Sequence, residues 1–485
     1  MKISLFLSLI FCSLACLSQE ELDTTHLEFF YPKSYFTFEN KKENIKNGIK
    51  AELKPHLRLS PGYSSSNNFG YSSFGGVNID LEKRNLRIQV SPYAGGAALP
   101  EYMNSFVDST GVFSSMGLAK KEGSFYYAAN AEGRLNWQVS KHFNAEIGRG
   151  RNFWGNGYRS MVLGNSAAPY PYLKLTTKAW KFRYVNLFMK HRSLEGNTSD
   201  PSFRNKFASF HAIDLDITED ITFTVFESVI WQAKDTLSNR GFDLNYLNPV
   251  IFYRPVEFSQ GSADNVLLGI GMRYAYEQKH LFYFQLFLDE FFLENVVAAN
   301  GWWANKIGMQ MGVKSKLKPT LLAYTEFNFA RPFTYTHGST LQNYGHLNQS
   351  LAHPLGTNFM ESTSGVEFKK DNLIVNLRLN WALYGRDRDG DNYGGDVFRS
   401  FKSPFRNFMN YIGQGNTHHS YIVQTSVSKK IQHKIWLTFS YNWRHVKSSF
   451  STKNEHIANL GISLSPHKLL SRDLKENHFN FSNDM

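Results

Sequence analysis

The chain has 485 residues, a formal charge of +12, 15% aromatic residues and two cysteines. That length allows two or three soluble domains or one large sheet structure. The positive charge is spread along the chain rather than gathered in one run; it fits nucleic acid, phosphorylated lipid head groups, acidic polysaccharide or merely scattered surface lysine with no specific partner, and charge alone does not choose among them.

Met1 to Ser18 reads as a secretory signal: Lys2 supplies the positive start, and Ile3 to Leu17 is an apolar run too short to span a bilayer. Cys16 and Ser18 are small residues at positions −3 and −1 of a cleavage site after Ser18. Lipidation of Cys16 is the weaker alternative, because Ser13 stands where such signals place leucine. Both cysteines, Cys12 and Cys16, lie in this segment, so the mature chain would be free of disulfides. With export, nucleic acid drops out as an expected partner. A short periplasmic leader is expected over 19–47, a barrel over 48–466 and a polar periplasmic tail over 467–485.

No later segment reaches the twenty apolar residues of a membrane helix. Instead, strand-like segments of roughly ten residues alternate with breaks. Leu373, Val375, Leu377, Leu379, Trp381 and Leu383 alternate with Ile374, Asn376, Arg378, Asn380, Ala382 and Tyr384. Ile435, Leu437, Phe439, Tyr441 and Trp443 alternate with Trp436, Thr438, Ser440, Asn442 and Arg444, and Ala458, Leu460, Ile462 and Leu464 with Asn459, Gly461 and Ser463. A soluble sandwich alternates too, so break length carries the distinction.

Short turns are expected near Glu82–Asn85, Ser140–Lys141, Thr218–Asp220, Glu277–His280, Leu317–Pro319, Lys369–Asn372 and Lys430–Gln432. Between them fall long connections over Gly95–Gly123, Gly150–Tyr170, Gln232–Ala263, Arg331–Met360 and Gly385–His419. Short periplasmic turns sorted against long outer loops predict an all-β, antiparallel transmembrane β-barrel of about eighteen strands, in the outer membrane of a Gram-negative bacterium. A monomer is expected. Tyr126, Tyr127, Trp137, Trp231, Tyr274, Tyr276, Trp302 and Trp303 are placed at strand ends, as interface girdles require.

The chain lacks the nucleophile elbow G-x-S-x-G, the metalloprotease H-E-x-x-H and the phosphate loop G-x-x-x-x-G-K-[ST]. An enzyme is not expected. The stretch RNFWGNGYRSMVLGN, Arg151 to Asn165, has Gly155 and Gly157 but Ser160 where a dinucleotide loop places its third glycine, and no following helix, so it predicts an inward-folding loop rather than a nucleotide site. In DRDGDNYGGD, Asp387, Asp389 and Asp391 resemble the start of a calcium loop, although Asn392 takes the usual glycine position and no glutamate closes it; Ca2+ is the one cofactor considered, against a plain acidic turn. His337, His346 and His353 share one loop with Tyr335 and Tyr344 at spacings that match no compact metal site, and hydrogen bonding within the loop is the expectation.

Three loops combine flat aromatic rings with Asn, Asp, Arg and His, the composition of a sugar platform and equally of a loop that must satisfy itself inside a lumen. The candidate sugar-stacking residues are Trp154, Tyr158, Tyr335, Tyr344 and Tyr393. Arg159, Arg331, His337, His346 and Asp391 are the candidate hydrogen-bonding partners.

The stretches GRNFWGNGYRSMVLGNSAAPYPYLKL, NYLNPVIFYRPVEFSQGSADNVLLG, RPFTYTHGSTLQNYGHLNQSLAHPLGTNFMES and GRDRDGDNYGGDVF resemble the Bacteroidetes branch of the capsule-assembly Wzi family, which includes RemB-type gliding-motility proteins. The resemblance spans nearly the whole mature chain and is most specific from Arg331 to Glu361. It implies an eighteen-stranded barrel in contact with outer-membrane lipid and lipopolysaccharide, whose outer loops bind surface polysaccharide, with capsule or gliding machinery as further partners. One departure is visible: enterobacterial members carry a periplasmic helical element, for which 19–47 leaves little room. A passive porin and a docking scaffold for adhesins are the competing functional readings.

Overall fold

The structure is a computed structural model that describes residues 49–66, 70–113, 115–194, 204–234, 239–247, 264–432 and 435–464. The expected signal, leader and tail lie outside the described residues, as does 248–263 within the second of the resembling stretches.

Eighteen strands form the wall: β1 Lys50–Ser64, β2 Gly70–Lys83, β3 Leu86–Ala98, β4 Phe125–Gln138, β5 Phe143–Gly150, β6 Tyr170–Ala179, β7 Phe182–Arg192, β8 Asn205–Asp216 and β9 Ile221–Gln232. They continue as β10 Asn265–Tyr276, β11 His280–Leu288, β12 Ile307–Lys318, β13 Leu321–Ala330, β14 Phe359–Lys370, β15 Leu373–Arg386, β16 Asn416–Gln432, β17 Ile435–Ser448 and β18 Thr452–Ser463. Each pairs antiparallel with its neighbour, and β1 returns to β18 through Arg58↔Ser463 and Ser64↔Ile457, closing the barrel. Closure leaves no wall strand with an open edge, which is what a sheet surrounded by lipid requires.

The alternation read from sequence is the wall's two faces. On β15, Ile374, Asn376, Arg378, Asn380, Ala382 and Tyr384 are buried while Leu377 and Leu379 are exposed. On β17, Thr438, Ser440, Asn442 and Arg444 point inward and Phe439 outward. The exposed face of a membrane barrel meets lipid, so its apolar side chains are at home there.

One end of the barrel carries tight turns, such as 84–85, 180–181, 217–220, 277–279 and 371–372, and the other carries the connections 99–124, 151–169, 233–264, 289–306, 331–358 and 387–415. Two connections on the long-loop end, 65–69 and 449–451, are nevertheless short. They flank the β1–β18 seam. The connections 193–204 and 289–306, also at the long-loop end, are not among those expected from the sequence.

The aromatic expectations divide. Tyr127, Trp137 and Tyr276 are half exposed near strand ends, as girdle residues are. Trp302 and Trp303 belong to the 289–306 connection instead of a strand. Trp231 is on the outward face of β9 but fully buried, because Phe242 and Tyr246 of the following loop fold down over it, with ring centroids 5.6 and 4.6 Å away. The chain therefore covers part of its own outer wall.

A membrane-facing position can be tested directly. Leu379→Arg, near the middle of β15 on the exposed face, is expected to destabilise the refolded barrel by roughly 2–4 kcal/mol, the cost of an arginine at the bilayer midplane. Equilibrium unfolding in lipid vesicles measures it; an unchanged midpoint would place Leu379 away from lipid.

Candidate functional site: a plugged lumen and the cavity under Trp154

Three loops from the long-loop end fold into the barrel and pack on one another. Met161, Val162 and Leu163 of 151–169 share a buried core with Tyr335, Tyr344, Leu351, Ala352 and Leu355 of 331–358 and with Val397 of 387–415. On the opposite side, the helix α1 Glu101–Thr110 buries Tyr102, Met103, Phe106 and Val107 against the inner wall, where the Arg444 guanidinium lies 4.4 Å from the Tyr102 ring centroid.

The 151–169 plug is closed on itself and then tied to the wall. Trp154 N–H donates to Leu163 O at 2.8 Å, and the Ser160 hydroxyl donates to Trp154 O while accepting from Val162 and Leu163 N–H at 3.1 Å. The wall answers with carboxylates and amides. Glu326 on β13 accepts from Tyr158 N–H at 2.6 Å, Arg159 N–H at 3.0 Å, the Tyr283 hydroxyl at 2.8 Å and Asn328 at 2.9 Å. Gln285 on β11 accepts from Met161 N–H at 3.0 Å and donates to Trp154 O at 3.2 Å. Gln310 donates to Arg159 O at 3.0 Å, and Lys314 to Asn156 O. A side chain at Gly157 would collide with Glu326, Gln310 and Arg159 O, so only glycine lets the backbone come this close.

Glu326 and Glu361 are both buried, and buried carboxylates are tolerable only when paired and hydrogen-bonded. Arg159 lies 3.5 Å from Glu361, which also accepts from Asn380 at 2.8 Å. His353 Nε2–H donates to Glu361 at 2.8 Å, while its Nδ1 accepts from Leu355 N–H at 3.2 Å, which fixes the tautomer. Burial holds the His353 imidazole below its ordinary value despite that carboxylate.

The sequence candidates fall into distinct places. Tyr158, Arg159, Tyr335 and Tyr344 are inside the plug: Tyr158 stacks on Tyr324 at 5.4 Å with Arg378 4.8 Å from its centroid, and Tyr335 stacks on Phe287 and Tyr344. Tyr335 is held by a hydroxyl bond to Met161 O at 2.6 Å and by Asp289, which accepts its N–H at 2.8 Å. His346 is buried 5.3 Å from His191, accepts from Arg192 N–H at 3.0 Å, and is pushed down to about 3 by burial. Arg331 donates to Asn305 O and Trp302 O, tying 289–306 to the rim. His337, lowered to about 4 by burial, lies 5.6 Å from Phe401. Tyr393 is buried against Phe405 at 4.4 Å, and Asp391 is exposed.

In the acidic turn, Asp387 accepts from Tyr393 and Gly395 N–H and from Arg399, and Asp389 pairs with Arg388 at 2.9 Å. Among the described residues no three His, Cys, Asp or Glu side chains converge as a metal shell would.

Of the ten sugar candidates, Trp154 alone lines a cavity of about 310 Å³ under the plug. Its walls are inward positions of β6 to β11, including Lys174, Lys178, Arg183, Asp214, Asp216, Thr222, Thr224, Phe226 and Arg273. None of these wall residues is marked as a site by a sequence motif. Their signal was present as polar residues two apart on consecutive strands, Asp214 and Asp216 then Thr222 and Thr224, but which face was lumenal needed the register.

No protein-family model and no curated protein matches this sequence. Among solved structures, the fold is similar to that of Wzi from Escherichia coli, an outer-membrane protein involved in group 1 capsule assembly and described as a carbohydrate-binding β-barrel. The identity is 12% and the TM-score 0.52, over 84% of this chain and 83% of that one. OprD of Pseudomonas aeruginosa aligns over 85% of this chain and 94% of its own at 8% identity and a TM-score of 0.46.

Two predictions address the plug. Glu326→Ala removes the acceptor of two backbone N–H groups and two side chains; it is expected to cost about 3 kcal/mol or more and to raise single-channel conductance in planar bilayers, whereas unchanged conductance would mean the plug is held elsewhere. Burial lifts the Asp289 carboxyl from its ordinary 3.8 to about 7, against the opposing pull of Lys306. A folded value above the unfolded one means stability falls as pH rises between about 4 and 7. Asp289→Asn should flatten that part of the thermal-midpoint profile, and an identical slope in the variant would remove Asp289 as its source. By closure, strand number and lumenal plug, the chain has the fold of an 18-strand outer-membrane β-barrel.

Proposed function

We propose that this barrel resides in the outer membrane and binds surface polysaccharide of its own cell at the long-loop end, with no covalent chemistry. The observation that carries the reading is a row of exposed aromatic side chains at that end. Phe405, Phe408 and Tyr411 are 48%, 47% and 59% exposed, and Phe408 lies 4.9 Å from Trp302. The row is set by pairing between two loops: Trp303 N–H donates to Asn407 O, Met409 N–H to Asn300 O, and Asn410 N–H to Gly301 O. Arg406 and Asn407 supply polar groups beside the rings, buried Asn410 holds the two loops together through Gly301 O, and Asp391 and Tyr393 lie in the same loop, with Tyr393 under Phe405. Rigid aromatic faces with a few placed polar groups suit sugar rings and hydroxyls. The carbohydrate binding described for Wzi supports the same assignment.

Against a passive porin stands the plug, whose loops occupy the lumen and are tied to β11, β12 and β13. The buried candidates Tyr158, Arg159, Tyr335, Tyr344 and His346 then serve to hold the loops that carry the outer surface, with Arg331 fixing the Trp302 segment.

Titration of the purified, full-length barrel with the cell's own surface polysaccharide tests the reading. Phe408→Ala together with Trp302→Ala should weaken binding about tenfold or more, the size of one lost anchor residue. Wild-type protein that ignores the polymer, or that conducts as a large steady pore, would overturn the proposal.

A further inference from the structure

The cavity under Trp154 is at the other end of the lumen from that aromatic row. Lys178 and Arg183 flank the 180–181 turn, Asp216 and Thr222 flank the 217–220 turn, and Arg273 precedes the 277–279 turn. Short turns face the periplasm in barrels of this class, so the cavity belongs to the periplasmic half, with the plug as its roof.

Its charge is unbalanced. Four cations, Lys174, Lys178, Arg183 and Arg273, line it with only two carboxylates, Asp214 and Asp216. Both carboxylates are already engaged within the wall. Asp214 accepts from Arg183 at 2.7 Å and from the Thr224 hydroxyl at 2.6 Å, and Asp216 accepts from the Thr222 hydroxyl at 2.6 Å. Arg273 donates to the same Thr222 hydroxyl at 2.9 Å and feels the nearby Asp214 and Asp216 carboxylates. Lys174 is 3.9 Å from Glu146, with a third of its side chain exposed. A cavity with surplus, partly desolvated positive charge favours an anion. Trp154 and Phe226 add aromatic surface, and Thr176, Gln285 and Asn156 add hydroxyl and amide groups.

We propose that this cavity binds an acidic saccharide, one or two sugar residues bearing a carboxylate or a phosphate, reached from the periplasmic side. A volume of 310 Å³ is at the small end of ligand pockets, enough for a short saccharide. A polymer could not thread past it, because Gln285 and Glu326 hold the roof in place. The anion is held near Lys178 and Arg273, the ring lies toward Trp154, and the threonine hydroxyls read sugar hydroxyls. This site is separate from the outer aromatic row and does not depend on it.

Calorimetric titration of the full-length barrel in detergent with glucuronate, glucose 1-phosphate, glucose and inorganic phosphate tests the proposal. At least one acidic sugar should bind ten times more tightly than glucose, and the tighter of the two identifies the anion. Lys178→Gln with Arg273→Gln should weaken that binding tenfold or more, while Trp302→Ala leaves it unchanged. Lys174→Gln, at a partly exposed position, provides a second variant should the double one fail to fold; it should weaken binding severalfold. Inorganic phosphate binding as tightly as the sugar acids, no acidic-sugar binding, or unchanged affinity in every folded cavity variant would each overturn the proposal.

Discussion

Everything in this molecule depends on the pairing of β1 with β18. Lipid cannot hydrogen-bond a backbone, so a sheet within it must leave no edge. Once eighteen strands close, the outer face is fixed as apolar and the inner face encloses a lumen far larger than side chains from the wall can fill. The chain fills much of that lumen with its own loops. The wall then has to supply partners for loop backbone that has left water.

That requirement explains the buried charges. Glu326 and Glu361 would be costly in an apolar interior, yet each is met by several donors: plug N–H groups at Glu326, and Arg159, His353 and Asn380 at Glu361. The same logic gives Gln285 its double role, one amide accepting from and donating to the same turn. Paired polar contacts of this kind hold a loop in one position better than apolar packing alone, since a shift leaves donors unpaired. The Met161–Leu163 core supplies apolar burial, and the carboxylates and amides supply register.

The aromatic residues show a similar division of labour. Rings at strand ends, such as Trp137 and Tyr276, are half exposed at the membrane's edge, while Trp231 on the outward face is covered by Phe242 and Tyr246. Trp302 and Phe408 are brought together only because 300–303 and 407–410 pair backbone to backbone. These two loops arise between β11 and β12 and between β15 and β16, far apart in sequence.

The sequence by itself determined the wall. Period-two alternation in 373–384 and 435–444 names the lumenal face residue by residue, and the sorting of connection lengths gives closure and strand number, because both follow from local geometry and the bilayer. It also indicated that Arg151 to Asn165 folds inward. What only the tertiary structure decided is which groups meet across the lumen. Tyr158 and Tyr335 carry the composition of a sugar platform, but their partners are Tyr324, Phe287 and Met161 O, which come from other strands and loops, from about fifty to more than a hundred and seventy residues away. Composition states what a side chain can bind. The fold of the closed barrel decides whether its neighbours have already claimed it, and among the candidate sugar-stacking rings it leaves Trp154 facing a cavity.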